Sequence, residues 1–392
     1  AFITGNAVQA NTLADTMQSN FGTPNVVTGL LAAAVVAVVI LGGITRIGRV
    51  TAVLAPLMAG IYVLSALLII LMNIGEVLPT FGLIMREAFN PTAGVAGTGI
   101  GILLVTLNWG VNRGLFSNEA GQGSAPIAHA AAKTDEPVSE GVVGLVEPFI
   151  DTIVIVTMTC LVLIITGVYD DRVPSEMTLS DGDLTYVATR PDGSLVEGEP
   201  PTTIPVTDGR QTLTDGQAAF AWHDLPVERF FTDLAQTQPF TGAIEPAAGL
   251  ATGADGTTYD LLYGDAPEGG APLTQLGFQR GLAPLGDWGG FIVVLSVILF
   301  AISTAISWSY YGDRCAAYLF GKKAVFPYRL VYVGMVFLGT VIAPAAVWDL
   351  GDIALTVCIL PNLLALVLLS TKTRNLMDDY FDRQAWRRQP RT

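Results

Sequence analysis

The stretch that decides the fold is Asn108-Trp-Gly-Val-Asn-Arg-Gly-Leu-Phe-Ser-Asn-Glu-Ala-Gly-Gln-Gly-Ser-Ala-Pro126, which lies between an apolar run (Gly97 to Leu107) and a run of small residues (Ile127 to Ala132). Lipid-exposed backbone must satisfy its own hydrogen bonds, so an irregular Gly-rich segment is tolerated at membrane depth only where it lines a cavity or is buried in protein. Transporters use such broken helices to hold substrates and ions. On this chemistry alone an alternative stays open, in which a helix ends at Trp109 and residues Arg113 to Ser124 form an aqueous loop.

The composition is that of a membrane protein. Hydrophobic residues make up 51% of the 392 residues, charged residues only 14%, and the mean hydropathy is +0.52. Cys160, Cys315 and Cys358 lie in or beside apolar runs without metal-ligand spacing, so we expect free thiols. The sequence has no convincing nucleophile elbow, metal cluster or phosphate loop, and no basic groove that would suggest nucleic acid. An enzyme is therefore not expected.

Several apolar runs reach the roughly 20 residues that a spanning helix needs. Residues Ala1 to Phe21 are too polar to face lipid and are interpreted as the end of a helix inside a bundle, and Asn73 to Ala96 as a surface helix and loop. A short basic turn, Thr45 to Arg49, is predicted between the first two spans. The predicted spans are Asn25–Ile44, Thr51–Met72, Gly97–Ala132, Gly141–Tyr169, Gly289–Trp308, Leu330–Val347 and Ile353–Leu369.

Residues 170–287 break this pattern. They hold 19 acidic and 5 basic residues and no lysine, so their surplus accounts for the whole net charge of −14. Short alternating segments at Thr178–Val196 and Ala251–Tyr263, with turn signals such as Pro191-Asp-Gly193, predict small strands. This region is predicted to be a hydrophilic insert.

The basic residues predict the orientation. Arg46 and Arg49, Lys133, the loop from Gly321 to Arg329 and the C-terminal tail fall on one side if every span crosses once. Short loops rich in Lys and Arg are cytoplasmic. The sequence thus predicts a multi-pass protein of the inner or plasma membrane with a cytoplasmic C-terminus. The insert and a loop around Trp348 would then be extracytoplasmic.

The central stretch resembles the alanine or glycine:cation symporter family, from Asn112 through Ser-Asn-Glu-Ala-Gly-Gln-Gly-Ser-Ala-Pro to Thr134. Further matching motifs are Pro137-Val138, Glu147 to Thr152, Ser307-Trp-Ser-Tyr-Tyr-Gly-Asp-Arg314, Phe320 to Lys323, Trp348-Asp349, and Gly5-Asn6 with Gln9-Ala-Asn11. The resemblance covers nearly all the chain except the insert, whose place in the family is usually taken by a short loop.

The resemblance implies an all-α membrane protein with the inverted-repeat helical bundle of the leucine transporter. The chain would begin inside the family's third helix and lack the first two, so we expect an N-terminal truncation. The expected domains are 1–169 (end of the third helix to the seventh), the insert 170–287, and 288–392 (the eighth to tenth helices and the basic tail). The implied activity is sodium-coupled symport of alanine or glycine by alternating access, with no cofactor besides the coupling ion.

The resemblance also implies substrate-binding residues. Trp109, Gly110, Val111, Asn112 and Gly114 lie where the family's sixth helix unwinds, and free backbone groups there can bind the charged ends of an amino acid. A packed Gly-rich helix with a structural tryptophan is the alternative.

Two amides and a second tryptophan complete the expected substrate site. Asn6 and Gln9 are expected either to bind substrate or to join two helices. Trp308 either closes the pocket or belongs to an interfacial belt. Arg113 and Glu119 are candidate gate or scaffold charges.

Ser303 and Thr304 resemble the hydroxyl pair that binds sodium in the family's eighth helix. Sodium is a hard cation that prefers oxygen ligands, which hydroxyls supply without a buried charge. The alternative is that both hydroxyls bond to their own helix backbone.

Two rival functions remain at this point. The first is the same fold with another small substrate or with proton coupling. The second is a non-transporting membrane sensor, or a degenerate fragment, that uses the acidic insert for recognition.

Overall fold

A computed structural model describes residues 1–89, 107, 110–111, 113–180, 184–189, 195–214, 216–223 and 225–383. The labelled helices are α1 (Val8–Phe21, preceded by the π-helical segment Ile3–Ala7), α2 (Asn25–Ile40), α3 (Ile44–Met72), α4 (Val77–Phe89), α5 (Ala125–His129), α6 (Pro137–Ile165, π-helical over Phe149–Ile155), α7 (Gly270–Leu282), α8 (Gly289–Phe320), α9 (Val325–Val341) and α10 (Pro344–Asp382). Within the described residues, five helical segments are long and apolar enough to cross a membrane: Ile44–Met72, Pro137–Ile165, Gly289–Phe320, Lys322–Val341 and Ala346–Asp382. The chain is therefore a multi-pass membrane protein.

The predicted basic turn between the first two spans is wrong. Helix α2 ends at Ile40 and α3 begins at Ile44, so Thr45 to Arg49 belong to the first turns of α3. The chain reverses at residues 41–43, where Gly43 has a φ of +80°. Glycine adopts this left-handed conformation without the steric cost that a side chain adds. The glycine therefore decided the turn, and the basic residues only flank it.

The predicted loop around Trp348 is also displaced. Helix α10 starts at Pro344 and runs unbroken through Trp348 to Asp382, and the break from α9 falls at Ile342 and Ala343, both extended. Proline has no N–H and a fixed φ, so it favours the first turn of a helix. The first residues of the predicted tail, Thr371 to Asp382, also belong to helix α10.

Helix α8 lies at the centre of the bundle. One apolar cluster joins it to α1, α2 and α9 around Tyr332, and a second joins it to α3, α6 and α7 around Phe278. Half of the apolar window of α8 is buried, compared with 0% for the window in α10, although their hydropathies are 2.5 and 2.4. Hydropathy alone therefore does not distinguish a central helix from a peripheral one.

The insert contains a β-domain with its own core. Its strands are β1 (Val173–Thr178), β2 (Leu184–Thr189), β3 (Leu195–Glu197), β4 (Ile204–Thr207), β5 (Arg210–Gln211), β6 (Ala219–Trp222), β7 (Leu225–Pro226), β8 (Gly242–Glu245), β9 (Leu250–Gly253), β10 (Thr258–Tyr259) and β11 (Leu261–Ala266). They form antiparallel sheets in the orders β10-β9-β8-β4-β5 and β3-β2-β6-β7, and a ribbon of β1 with β11. In this ribbon Val173 pairs with Ala266, so the domain enters and leaves the bundle at one place.

Helix α7 lies within residues 170–287 but packs on the bundle. Phe278 is fully buried, and its ring centroid lies 5.1 Å from that of Tyr62 on α3. Gln275 Nε2 donates to Asn20 Oδ1 over 2.8 Å, and Arg280 Nη1 donates to the carbonyl of Thr166 over 3.0 Å. The predicted insert therefore consists of a separate β-domain followed by a helix that is part of the bundle's packing.

Candidate substrate and cation site

The described residues of the central stretch are helical up to Ser117. Gly110, Val111 and residues 113–117, including Gly114, are helical, while Trp109 and Asn112 lie outside the described residues. The break is a turn from Asn118 to Ser124, which we call the membrane turn. Helices tolerate single glycines, so the glycines at 110 and 114 did not mark the break. The predicted role of these five residues in substrate binding stays a prediction.

Left-handed backbone defines the membrane turn. Glu119, Gly121 and Gly123 have φ values of 55°, 75° and 80°. The two glycines adopt these values at little cost, whereas a glutamate in this region is unusual and strained. A glutamate here therefore carries a backbone cost of about 1–3 kcal/mol that a glycine would avoid.

Residues distant in the chain hold the membrane turn. Asn118 Nδ2 donates to Thr152 Oγ1 on α6 over 3.1 Å, and Ser117 Oγ donates to the carboxylate of Asp151. On the other side, Asn362 Nδ2 of α10 donates to the carbonyl of Gly121 over 2.9 Å. Helices α6 and α10 therefore satisfy polar groups that lipid could not.

Glu119 connects the membrane turn to the central helix. Its Oε1 accepts a hydrogen bond from Trp308 Nε1 of α8 over 3.1 Å, and its Oε2 accepts one from Ser124 Oγ. The indole of Trp308 also lies against Gly5, where an added Cβ would come within 2.1 Å of the ring. Three parts of the chain thus meet at this tryptophan, and Trp308 makes a specific internal contact rather than standing alone in an interfacial belt.

Asn6 is buried next to this contact, in the π-helical segment before α1. Its side chain is 0% exposed, and its Nδ2 donates to the carbonyl of Tyr332 on α9 over 2.9 Å. Its Oδ1 is buried and has no hydrogen-bond partner. Asn6 therefore joins two helices with one amide atom and has an acceptor available with the other. Gln9 is half-buried on the next turn.

Asn11 carries a role that the sequence reasoning did not assign. Its Nδ2 donates to the carbonyls of Gly339 and Ile342, each over 3.1 Å, where α9 ends. An amide in a helix expected inside the bundle was the available signal, but its partners lie more than 300 residues away in the sequence.

The predicted sodium ligands lie on α8. Ser303 is 5% exposed, and its Oγ lies 3.0 Å from the carbonyl of Phe300 and 3.3 Å from Met58 Sδ on α3. Thr304 is half-buried. Ser303 thus bonds to its own helix, as the alternative interpretation stated, although a hydroxyl oxygen that donates one hydrogen bond keeps lone pairs for a cation. Sodium binding here stays a prediction.

A buried ion pair joins the C-terminal part of α8 to the start of α9. Arg329 Nε donates to Asp313 Oδ1 over 3.1 Å and to Oδ2 over 3.0 Å, and the two side chains are 13% and 1% exposed. In the sequence, Asp313 belongs to the motif Ser307–Arg314 and Arg329 to the basic loop Gly321–Arg329, and nothing there pairs them. An aspartate inside a 32-residue apolar helix was the signal, because buried charges in membrane segments are paired.

His129 lies between two carboxylates at the end of α5. Its Nδ1 is 2.8 Å from Glu140 Oε1, and its Nε2 is 3.5 Å from Glu147 Oε2. Because both ring nitrogens face carboxylates on α6, this histidine packs α5 onto α6. Arg113 is exposed on the helical turn before the break.

Comparison with known proteins gives a consistent match. The family model "Sodium:alanine symporter family" matches residues 1–189 and 250–392. The chain is 35% identical over 370 residues to a sodium/alanine symporter, AgcS, from Methanococcus maripaludis, covering 94% of this chain and 60% of that protein. An uncharacterized transporter from Haemophilus influenzae is 31% identical over 97% of the chain and 62% of its own length.

A third relative, a sodium/proton-dependent alanine carrier protein from Bacillus sp. PS3, is 28% identical over 95% of the chain and 65% of its own length. The chain thus spans roughly six tenths of the length of the curated relatives it matches. Residues 190–249, which the family model leaves out, fall inside the β-domain.

Proposed function

Because the chain belongs to the sodium:alanine symporter family, we propose that its protein imports alanine or glycine together with sodium by alternating access. This is a family of symporters and not of enzymes. No cofactor besides the coupling ion enters the proposal. The leucine-transporter-like inverted repeat is the fold we propose for the complete bundle.

The observation that carries this proposal is the membrane turn. Asn118 to Ser124 is irregular backbone in a membrane protein, and α6, α8 and α10 all direct polar side chains at it. Such a segment is tolerated at membrane depth where it lines a cavity or is buried in protein. Broken helices of this kind hold substrates and ions in secondary transporters, and the membrane turn is the candidate for that role here.

We assign the substrate to the space between the helix that precedes the membrane turn, the segment Ile3–Ala7 and α8. Gly110, Val111 and Gly114 contribute from the first, Asn6 from the second and Gln9 from the start of α1 that follows it, and Trp308 from the third. Trp109 and Asn112, which lie outside the described residues, belong to the proposal through the sequence alone. The unpartnered Oδ1 of Asn6 supports this assignment because a buried acceptor without a donor costs about 1–3 kcal/mol. An ammonium group or a water molecule would satisfy it.

We assign sodium to Ser303 and Thr304. Ser303 is buried on the face of α8 that meets α3, and hydroxyl oxygens suit a hard monovalent cation. Proton coupling is the alternative, and the name of the sodium/proton-dependent alanine carrier among the relatives favours testing it.

For the orientation, we propose that the basic residues of the first turns of α3 and of the α8–α9 loop are cytoplasmic. The β-domain is then extracytoplasmic.

Two exposed residues allow the orientation to be measured by thiol labelling: Ala235 in the β-domain and Lys323 in the α8–α9 loop. With Cys160, Cys315 and Cys358 replaced by serine, an impermeant thiol reagent added outside cells should label Ala235→Cys and not Lys323→Cys. The reverse pattern would invert the topology.

The function is tested with the full-length protein in proteoliposomes. An inward sodium gradient should drive uptake of labelled alanine and glycine, and replacing external sodium with choline should abolish it. A proton gradient without sodium is the control for proton coupling. Uptake of neither amino acid under any gradient, by protein that is correctly folded, would favour the non-transporting alternative.

A further inference from the structure

We propose that Glu119 is a positioning residue that fixes the indole of Trp308 and thereby sets the upper size of the transported side chain. This inference rests on the proposed function, since it concerns the substrate limit of the same site. It concerns a residue that the sequence could describe only as a gate or scaffold charge.

The geometry around Trp308 restrains the indole from two directions. On one side its ring lies against the backbone of Gly5, where any side chain would overlap with it. On the other side its Nε1 donates to Glu119 Oε1 over 3.1 Å. The edge of the ring also contacts Tyr311 one turn further along α8, with ring centroids 5.4 Å apart. A tryptophan held at its face and at its polar atom has one orientation available.

The position of this tryptophan relates it to the substrate. Gly5 is directly followed by Asn6, whose Oδ1 is buried and unpartnered, and Trp308 lies one helical turn after Thr304. The indole is thus close to both the proposed amide contact and the proposed sodium ligands. Rotation of this ring would change the space beside them.

The backbone of Glu119 provides independent support. Its φ of 55° is a conformation in which glycine would be relaxed, and Gly121 and Gly123 use it nearby. A side chain at this position strains the backbone, so a structural turn alone would favour glycine. The two hydrogen bonds of its carboxylate, from Trp308 and Ser124, are what a glutamate adds.

This strain provides a variant that separates positioning from folding. Glu119→Gly removes the acceptor of Trp308 while relaxing the backbone, so the turn itself should form at least as well. Glu119→Gln keeps an acceptor for the indole, and Ser124 can donate or accept. Ser124→Ala is the matched control because it removes a hydrogen bond to the same carboxylate without touching Trp308.

The first measurement is the ratio of leucine to alanine uptake, driven by sodium in proteoliposomes. We expect Glu119→Gly to raise this ratio about tenfold, the lower end of what one methylene discriminates in a fitted pocket. Glu119→Gln and Ser124→Ala should keep the wild-type ratio. In a Trp308→Phe background, Glu119→Gly should add no further change, because the hydrogen bond is already absent. An unchanged ratio in Glu119→Gly, or an additional change in that background, would overturn the proposal.

The second measurement does not depend on transport. In protein labelled with 15N-tryptophan, the indole N–H resonance that disappears in Trp308→Phe belongs to Trp308. It should shift in Glu119→Gly and stay in place in Ser124→Ala; an unshifted resonance in Glu119→Gly would refute the hydrogen bond. If the wild-type protein imports no amino acid, the size-limiting role fails together with the proposed function. This spectrum then decides separately whether Glu119 positions the indole.

Discussion

The membrane turn and two turns of the β-domain, those at Gln236 and Gly256, use the same left-handed backbone but find their hydrogen-bond partners differently. In the β-domain, Asp233 accepts hydrogen bonds from the backbone N–H groups of Thr237 and Gln238, and Asp255 accepts one from Thr257. These partners lie two to five residues away. In the membrane turn, Glu119 is bonded to a tryptophan 189 positions later, and Gly121 to an asparagine 241 positions later.

This difference follows from the solvent. A turn in water can leave a carbonyl to solvent, and a nearby Asp or Thr is enough to order it. A turn at membrane depth has no water to rely on, so its polar groups require side chains from other helices. The β-domain should therefore be separable from the chain, whereas the membrane turn should depend on the whole bundle.

The largest effect is expected from the buried pair between α8 and α9. Asp313→Ala leaves Arg329 buried without its partner, which typically costs roughly 3–5 kcal/mol. Thermal unfolding in detergent should show a strongly lowered Tm. The matched control is Asp378→Ala, which removes an exposed pair with Arg374 on one helix, worth at most about 1 kcal/mol. Equal Tm values for the two variants would contradict the distinction between a buried pair that joins two helices and an exposed pair within one helix.

The next effect concerns the membrane turn itself. Asn362→Leu removes the donor to the carbonyl of Gly121 and leaves that carbonyl unpartnered, a loss of about 1–3 kcal/mol. We expect sodium-dependent alanine uptake to fall about tenfold at equal protein amounts. Ser370→Ala, on the same helix, removes a hydroxyl that bonds only within α10 and should be neutral. Full uptake by Asn362→Leu would show that the turn does not need its distant partner.

A moderate effect is expected at the proposed cation site. Ser303→Ala and Thr304→Ala each remove a hydroxyl oxygen. We expect each variant to raise the sodium concentration for half-maximal uptake about fivefold, because the loss of one ligand oxygen should cost about as much free energy as the loss of one hydrogen bond. Maximal uptake at saturating sodium should change less. If the sodium dependence of both variants equals that of the wild type, these hydroxyls serve only their own helix.

The smallest effect is expected in the β-domain. Hydrogen bonds from the N–H and hydroxyl of Thr257 lower the pKa of Asp255 below its ordinary value of 3.8. A lowered carboxyl pKa stabilises the folded state at neutral pH, and this contribution disappears as the pH falls through the folded-state pKa. Asp255→Asn should therefore make unfolding of the β-domain slightly less dependent on pH below about 4. Intrinsic fluorescence of its aromatic core would follow this unfolding, and a steeper acid dependence would contradict the assignment.

The sequence predicted what depends on local composition. Apolar length identified the five spanning helices of the described residues, whereas the predicted span Asn25–Ile44 is a shorter helix that ends at Ile40 and the predicted span Gly97–Ala132 lies partly outside the described residues. Alternation with turn residues identified strands within the insert. It misplaced the turns at Thr45–Arg49 and at Trp348, where Gly43 and Pro344 decided the break through backbone geometry.

The sequence could not predict contacts that packing creates. Glu119 with Trp308, and Asp313 with Arg329, come from different helices, and neither spacing nor hydropathy indicates which buried group meets which. Among the described residues, the central stretch breaks at the membrane turn, whereas the unwinding predicted at Trp109 to Gly114 lies partly outside the described residues and stays a prediction. The φ values distinguish Gly121 and Gly123, which form the turn, from Gly110 and Gly114, which are helical.

The most direct test removes the β-domain. Val173 and Ala266 are paired across one ribbon, so a short Gly/Ser linker can replace residues 173–266 and keep α7 on the bundle. A second deletion, 173–282, also removes α7 and is the control for damage to packing. Sodium-driven alanine uptake by the first protein should stay within about twofold of the wild type, because the exposed carboxylates of the β-domain act only over a Debye length of about 8 Å. The second protein, which lacks α7, should lose sodium-driven uptake. Loss of uptake in the first protein, correctly inserted, would contradict the account.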